Sequence, residues 1–340
     1  MQLYSWYKMM KNIIGKGEVN MNTLKFISEL IGVSGYEETV RNNIRNYVTN
    51  NNSQVQIKTD KIGNLIIHKK GEVSNIRIMI IAHMDEVGFQ VMNVDETGKA
   101  KVKTLGNIKT WNSINQRVST CDGKKKGIVY CEDPEEIKAH DFEKLVVIPT
   151  IGEFNIGDVL CFESELIETE TQYIGKALDN RASCYVLCSI IGSESVCKND
   201  IDFVFSVQEE IGMRGARVAM SELIPDIIID LDVSPVGEHN SLKIGEGIGI
   251  KLSDSIGVSS NNLVKRVEKI AQSQQIKYQY EVSDCGTSEL IITNEKEAGA
   301  ERIGLSIPCQ NIHSPLTVIN KHDLNMCKLL VEAIIRFGIT

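Results

Sequence analysis

Between Ile76 and Ala82 the chain reads Ile-Arg-Ile-Met-Ile-Ile-Ala, then turns polar at His83-Met84-Asp85-Glu86. A short apolar run of this kind, with large side chains on both alternating faces, is satisfied as a strand covered on each side. A largely parallel sheet with helices on both faces supplies such cover.

The two ends of the chain keep that rhythm. Leu24, Ile27, Leu30 and Ile31 share a helical face that Gly32 stops. Ser34-Gly35-Tyr36-Glu37 has the form of a capping box, opening a helix with Val40, Ile44, Tyr47 and Val48 at core spacing. Leu65–Ile67 reads as a short strand. Beyond residue 175 the spacing predicts a helix over Asp179–Ile191, a strand over Ile201–Val207, a helix from Gly212 and a buried strand over Ile227–Leu231. An amphipathic helix over Asn261–Ala271, a strand over Ile303–Ile307 and a closing helix over Asp323–Ile335 follow. The expected class is α/β.

Residues 90–174 break the rhythm. Short apolar or alternating stretches there are separated by Gly, Asp, Asn and Lys clusters, with no helical stripe, which is the pattern of a small β-rich unit. The organisation expected is an α/β domain made of 21–89 and 175–340, split by an inserted β domain at 90–174. Residues 1–20 carry three lysines but no signal-peptide pattern, and Met21 opens the clean periodicity, so they read as an extension.

Thirty-seven basic against 45 acidic residues give a net charge of −8, which argues against nucleic acid or an anionic membrane as partner. No apolar run approaches the length of a membrane span. Nine scattered cysteines, an odd number with no paired spacing, fit a reducing cytoplasm.

Polar side chains gather just past buried strands: His83-Met84-Asp85-Glu86, Val207-Gln208-Glu209-Glu210 and Ile229-Asp230-Leu231-Asp232. In open α/β sheets that edge binds ligands. Histidine with carboxylates and no nearby cysteine suits zinc, cobalt or manganese. Asp179 and His313 complete a set large enough for two ions, which together activate water and clamp the reacting oxygens. One of the adjacent Glu209 and Glu210 is then spare as a general base. Alternation puts Asp230 and Asp232 on the same strand face, so chemistry alone leaves both as ligand candidates, and Asp179 could also be a helix N-cap.

The segments HMDEVGF (83–89), GKALDNR (175–181), VQEEIGMRGA (207–216), DVS (232–234) and IHSP (312–315) occur in an order that resembles the tetrahedral aminopeptidases, a group including glutamyl and deblocking aminopeptidases. The resemblance implies an α/β catalytic domain with an inserted β-rich domain that drives homo-oligomerisation, from dimer up to dodecamer. It implies that Asp179 bridges two divalent ions, that His83 and Asp232 complete one site, and that Glu210 and His313 complete the other. Glu209 would be the general base, and Asp85 would orient His83. Short peptides would be the substrates.

The family pattern is departed from at Gly286-Thr-Ser-Glu289, where serine stands for an acid, and at Cys309-Gln310-Asn311, where an Arg-Tyr pair is usual. Both stretches are expected to line the substrate pocket. They keep open a metal-dependent amidohydrolase or deacylase acting on another amide, and a non-catalytic peptide-binding relative. His68, His140, His239 and His322 read as structural, and Gly245–Gly249 as a glycine turn rather than a phosphate loop.

Overall fold

The computed structural model describes residues 21–131, 138–140, 142–193, 196–291 and 299–339. The extension read at residues 1–20 lies outside them. Two helices, α1 (Met21–Glu29) and α2 (Glu38–Asn51), lead into strands β1 (Gln56–Thr59), β2 (Leu65–Lys69) and β3 (Val73–His83). Six strands follow: β4 (Gly88–Val94), β5 (Ala100–Leu105), β6 (Arg117–Thr120), β7 (Lys126–Cys131), β8 (Leu145–Ile151) and β9 (Val159–Phe162). They close a barrel in the order β4-β5-β8-β7-β6-β9, filled by its own apolar cluster around Phe89, Val118, Val147 and Leu160.

The chain then returns to the large sheet through β10 (Ile167–Glu168) and β11 (Gln172–Gly175). The α/β rhythm resumes with α3 (Leu178–Ile191), β12 (Asn199–Ser206), α4 (Arg214–Leu223) and β13 (Ile227–Pro235). It ends with β14 (Ile248–Ser253), α5 (Asn261–Ser273), β15 (Tyr278–Val282), β16 (Glu301–Gln310), β17 (Thr317–Asn320) and α6 (Lys321–Phe337). The 11-stranded sheet runs β1-β2-β12-β3-β13-β16-β17-β11-β10, with β14 and β15 branching from β16. Its centre, β12-β3-β13-β16, is parallel, and antiparallel strands flank it.

The apolar run of β3 divides as its pleat requires. Ile78, Ile80 and Ala82 join the main core with α1, α2, α3, α5 and α6, while Met79 and Ile81 pack on α4 through Met213, Ala216 and Met220. Both faces are covered, and the fold is a mixed α/β one. Strands β1, β14, β15 and β17 escape the sequence reading because each is only four to six residues long and mixes its apolar side chains with polar ones or glycine.

Ser34 and Glu37 do not form a capping box, since α2 begins without a side-chain cap. The Ser34 hydroxyl donates to Asp85 Oδ2 at 2.6 Å, and Glu37 Oε1 accepts the backbone N–H groups of Gly35 and Gln208. The four-residue motif is local, but its partners lie across the fold. Of the glycine turn read at Gly245–Gly249, Gly245 and Gly247 precede β14, with the buried Asp323 carboxylate accepting their amides, whereas Gly249 belongs to β14 itself. No described helix is long and apolar enough to cross a membrane.

Candidate active site

Three neighbouring parallel strands carry the first residues of the site. Ser206 of β12 is in register with His83 of β3, and Asp230 of β13 with Ile81, so Asp232 falls level with His83. Adjacent strands lie about 4.8 Å apart, within reach of a shared cluster. The backbone at Asp179 and Asn180 is not yet helical, and the Asn180 side chain donates to Leu231 O at 2.7 Å, so Asp179 turns inward instead of capping α3. His313 arrives on the loop after β16. Ala177, Gln208, Asn311 and His313 all adopt positive φ, between 53° and 57°. Such conformations are costly for residues with a Cβ and gather at functional sites.

Asp179 lies between the two histidines. Its Oδ1 is 3.1 Å from His83 Nε2, and its Oδ2 is 3.2 Å from His313 Nε2. His313 Nε2 is also 3.3 Å from Glu210 Oε2, while His83 Nε2 is 3.7 Å from Asp232 Oδ1 and 3.9 Å from Glu209 Oε2. His83, Asp179, Glu209 and Asp232 are buried, whereas the His313 side chain keeps 20% of its surface exposed.

Buried negative charge of this density needs compensation. Burial, with neighbouring carboxylates, pushes Glu209, Glu210 and Asp232 above the ordinary carboxylate range. Burial opposes charge on His83, but Asp179 and Asp85 raise it well above its ordinary value; for His313 the Glu210 and Asp179 carboxylates overcome burial in the same way. Glu210 Oε1 is buried and has no hydrogen-bond partner. Ligand atoms of His83, Asp179 and Asp232 lie within 4.8 Å of one another, as do those of Asp179, Glu210 and His313, and those of His83, Glu209 and Glu210. The donor set fits divalent cations, with Asp179 common to two of the groups.

All seven residues singled out in the sequence thus come together. Asp85 differs in detail from the expectation. His83 Nδ1 is 3.2 Å from the Asp85 main-chain oxygen and 3.4 Å from Oδ1, and the carboxylate itself accepts the amides of Glu209 and Glu210. Asp230 lies beside the cluster, accepting the Leu290 amide at 3.0 Å. Ser288 is buried against Lys251 and Asp254, and Cys309 is buried too. A small cleft at the site is lined by Val87, Phe162, Ala177, Ser314 and Thr317 beside the polar cluster.

His68 pairs with Asp202, His239 with Asp284, and His140 stacks near Phe142; these stay outside the cluster, as does His322 at the start of α6. Sequence reasoning missed the main-chain carbonyl of Asn107, which accepts from His313 Nδ1. A backbone carbonyl carries no residue-type signal.

A mixed sheet whose parallel central strands and adjoining loops gather two imidazoles and four carboxylates defines a hydrolytic enzyme. The chain belongs to the M42 glutamyl aminopeptidase family, whose profile matches residues 63–330, and it is a peptidase. It is 34% identical over 324 residues to an Acetivibrio thermocellus protein described as a putative aminopeptidase, covering 92% of this chain and 97% of that one. Its fold is similar to that of the aminopeptidase APDkam598 from the archaeon Desulfurococcus kamchatkensis, with a TM-score of 0.86, 25% identity, and coverage of 94% of this chain and 95% of that one. It is likewise similar to a TET aminopeptidase from a marine sediment Thaumarchaeota archaeon, with a TM-score of 0.85, 26% identity, and coverage of 93% and 96%.

Proposed function

We propose that the chain is a metal-dependent aminopeptidase that removes N-terminal residues from short peptides, and that it works with two divalent ions. The observation that carries this reading is the position of Asp179, whose two carboxylate oxygens face different histidines. His83, Asp179 and Asp232 would hold one ion, and Asp179, Glu210 and His313 the other. Bound there, zinc, cobalt or manganese would supply Lewis-acid chemistry toward water and the scissile carbonyl.

The protein's own groups do the rest. Glu209 stands beside His83 without being needed in either three-residue set, so it takes the proton of the attacking water and delivers it to the leaving amine. Burial raises its proton affinity toward that of a workable acid–base group. The Asp85 carboxylate holds the backbone of Glu209 and Glu210. Val87 and Phe162 exclude water from one side of the cleft. The barrel of β4 to β9, which runs from Gly88 to Phe162 and overlaps the expected insertion at 90–174, serves homo-oligomerisation in this reading, and the location is cytoplasmic.

The test is a panel of aminoacyl-p-nitroanilides with free or acetylated N-termini, assayed with and without added zinc, cobalt or manganese. Turnover should need a free amine and a divalent ion, and Glu209→Gln should lower kcat by about 10²–10⁴-fold while ion binding persists. Equal turnover of acetylated substrates would point to an amidohydrolase instead. Parental activity in Glu209→Gln would remove Glu209 from the mechanism.

A further inference from the structure

β12 ends at Ser206, and the next four backbone N–H groups have no neighbouring strand to receive them. Each is taken by a side-chain oxygen from a distant part of the chain. Val207 N donates to Asn64 Oδ1 at 3.0 Å, Gln208 N to Glu37 Oε1 at 3.1 Å, Glu209 N to Asp85 Oδ1 at 3.0 Å and Glu210 N to Asp85 Oδ2 at 3.2 Å. Asn64, Glu37 and Asp85 are all buried. The turn they hold includes Gln208 at φ +57°, a conformation that a non-glycine residue keeps only under surrounding constraint.

The acceptors are themselves held. Ser34 donates to Asp85 Oδ2 at 2.6 Å, and Asn64 donates to Asp60 Oδ2 and to Gly215 O. The amide of Gly35, next to Ser34, shares Glu37 Oε1 with the Gln208 amide. The Ser34–Glu37 segment therefore reaches the Glu209–Glu210 turn twice: through Glu37 directly, and through Ser34 by way of Asp85.

We infer that Glu37 and Ser34 are positioning residues for the proton-transferring Glu209, acting through the Gln208 amide and the Asp85 carboxylate. This rests on the reading of Glu209 as general base. Buried amides must be paired, so each acceptor fixes the path of the turn. A carboxylate that transfers protons depends on that path, because a displacement of about 1 Å can cost about a hundredfold in rate. Of the proposed ion ligands, Asp179, His83, Asp232 and His313 are carried by other elements and only Glu210 lies on the clamped turn, so saturation with ion separates a loss of ligation from a loss of proton transfer.

The experiment uses the full chain saturated with cobalt, and the nitroanilide that the panel above shows is turned over fastest. Glu37→Ala should lower kcat by about a hundredfold with KM little changed, and ion stoichiometry should match the parent. Glu37→Gln keeps an oxygen that can accept both amides and should restore most of kcat. Ser34→Ala, which removes one hydroxyl and spares the fold if Glu37→Ala does not, should lower kcat by about tenfold with the same split. Parental kcat per ion-loaded site in both Glu37→Ala and Ser34→Ala, with Glu209→Gln inactive, would overturn the positioning role alone. Glu37→Gln as defective as Glu37→Ala would overturn it too, because acceptor geometry would then not be what matters. Parental kcat in Glu209→Gln would overturn the reading of Glu209 and this inference together.

Discussion

The Nδ1 atom of His313 lies 2.8 Å from the main-chain carbonyl oxygen of Asn107. A carbonyl can only accept, so Nδ1 carries a proton, and Nε2 is the nitrogen that faces Asp179 and Glu210 and is left to serve as a ligand atom. Asn107 lies just beyond β5 of the barrel, while His313 follows β16 of the large sheet. The site is therefore built across both units.

Gly106 is the hinge of that contact. Its φ is +92°, and a Cβ there would meet Val87 Cγ1 at 2.6 Å and Glu210 Cβ at 3.3 Å. Gly106→Ala should displace the Asn107 carbonyl and weaken binding of the ion proposed for Glu210 and His313 by about 10–100-fold, leaving the ion proposed for His83 and Asp232 near parental affinity. Calorimetric titration of the dialysed protein resolves the two events. Equal weakening of both would count against the assignment.

Asp232 and Asp230 can be separated by substitution. Asp232 Oδ1 is 3.7 Å from His83 Nε2, whereas Asp230 Oδ2 accepts the Leu290 amide. Asp232→Asn should hold one ion per chain and lose most activity, and Asp230→Asn should retain two. Elemental analysis after dialysis decides; the reverse pattern would transfer the ligand role to Asp230.

Arg181 is fully buried and donates to the carbonyls of Met84, Ile27, Leu30 and Gly32. It ties the end of α1 to the segment that carries His83, with Glu86 at 3.6 Å. Arg181→Met should destabilise the protein by about 3–5 kcal/mol, because four carbonyls lose their buried donor, while Glu86 keeps the Lys176 ammonium at 2.7 Å. Denaturant unfolding at fixed ion concentration measures it, and a loss below about 1 kcal/mol would contradict this account.

Burial, with repulsion from Asp85, lifts the Glu37 carboxyl from an ordinary 4.5 to about 7. The folded state holds this proton more tightly than the unfolded chain, so Glu37 costs stability progressively as pH rises from about 4.5 to about 7. Glu37→Gln carries no such charge. It should match the parent near pH 4 and gain on it through that window, by up to about 3 kcal/mol above neutrality. Unfolding curves across pH check the sign; a parent that gains on the variant with rising pH would reverse it.

Much of the architecture was legible in the residues themselves. The run of β3 announced a strand covered on both faces, because side-chain polarity records burial directly. The strand-end groups around His83, Glu209 and Asp232 stood out because polar residues after buried runs have few packing roles. The Gly32 stop and the stripes of α1, α2, α3, α5 and α6 were likewise local patterns.

Which of these residues meet is set by the packing of distant segments. Ser34 and Glu37 matched a capping box by spacing, yet their partners are Asp85 and Gln208, because hydrogen-bond acceptors are assigned by proximity in space. Asp179 could have capped a helix; the irregular backbone before α3 turns it between His83 and His313. Asn107 enters through a carbonyl that any residue would provide. Periodicity determines which side chains must be buried, but only the packed sheet and barrel fix the distances that make them a site.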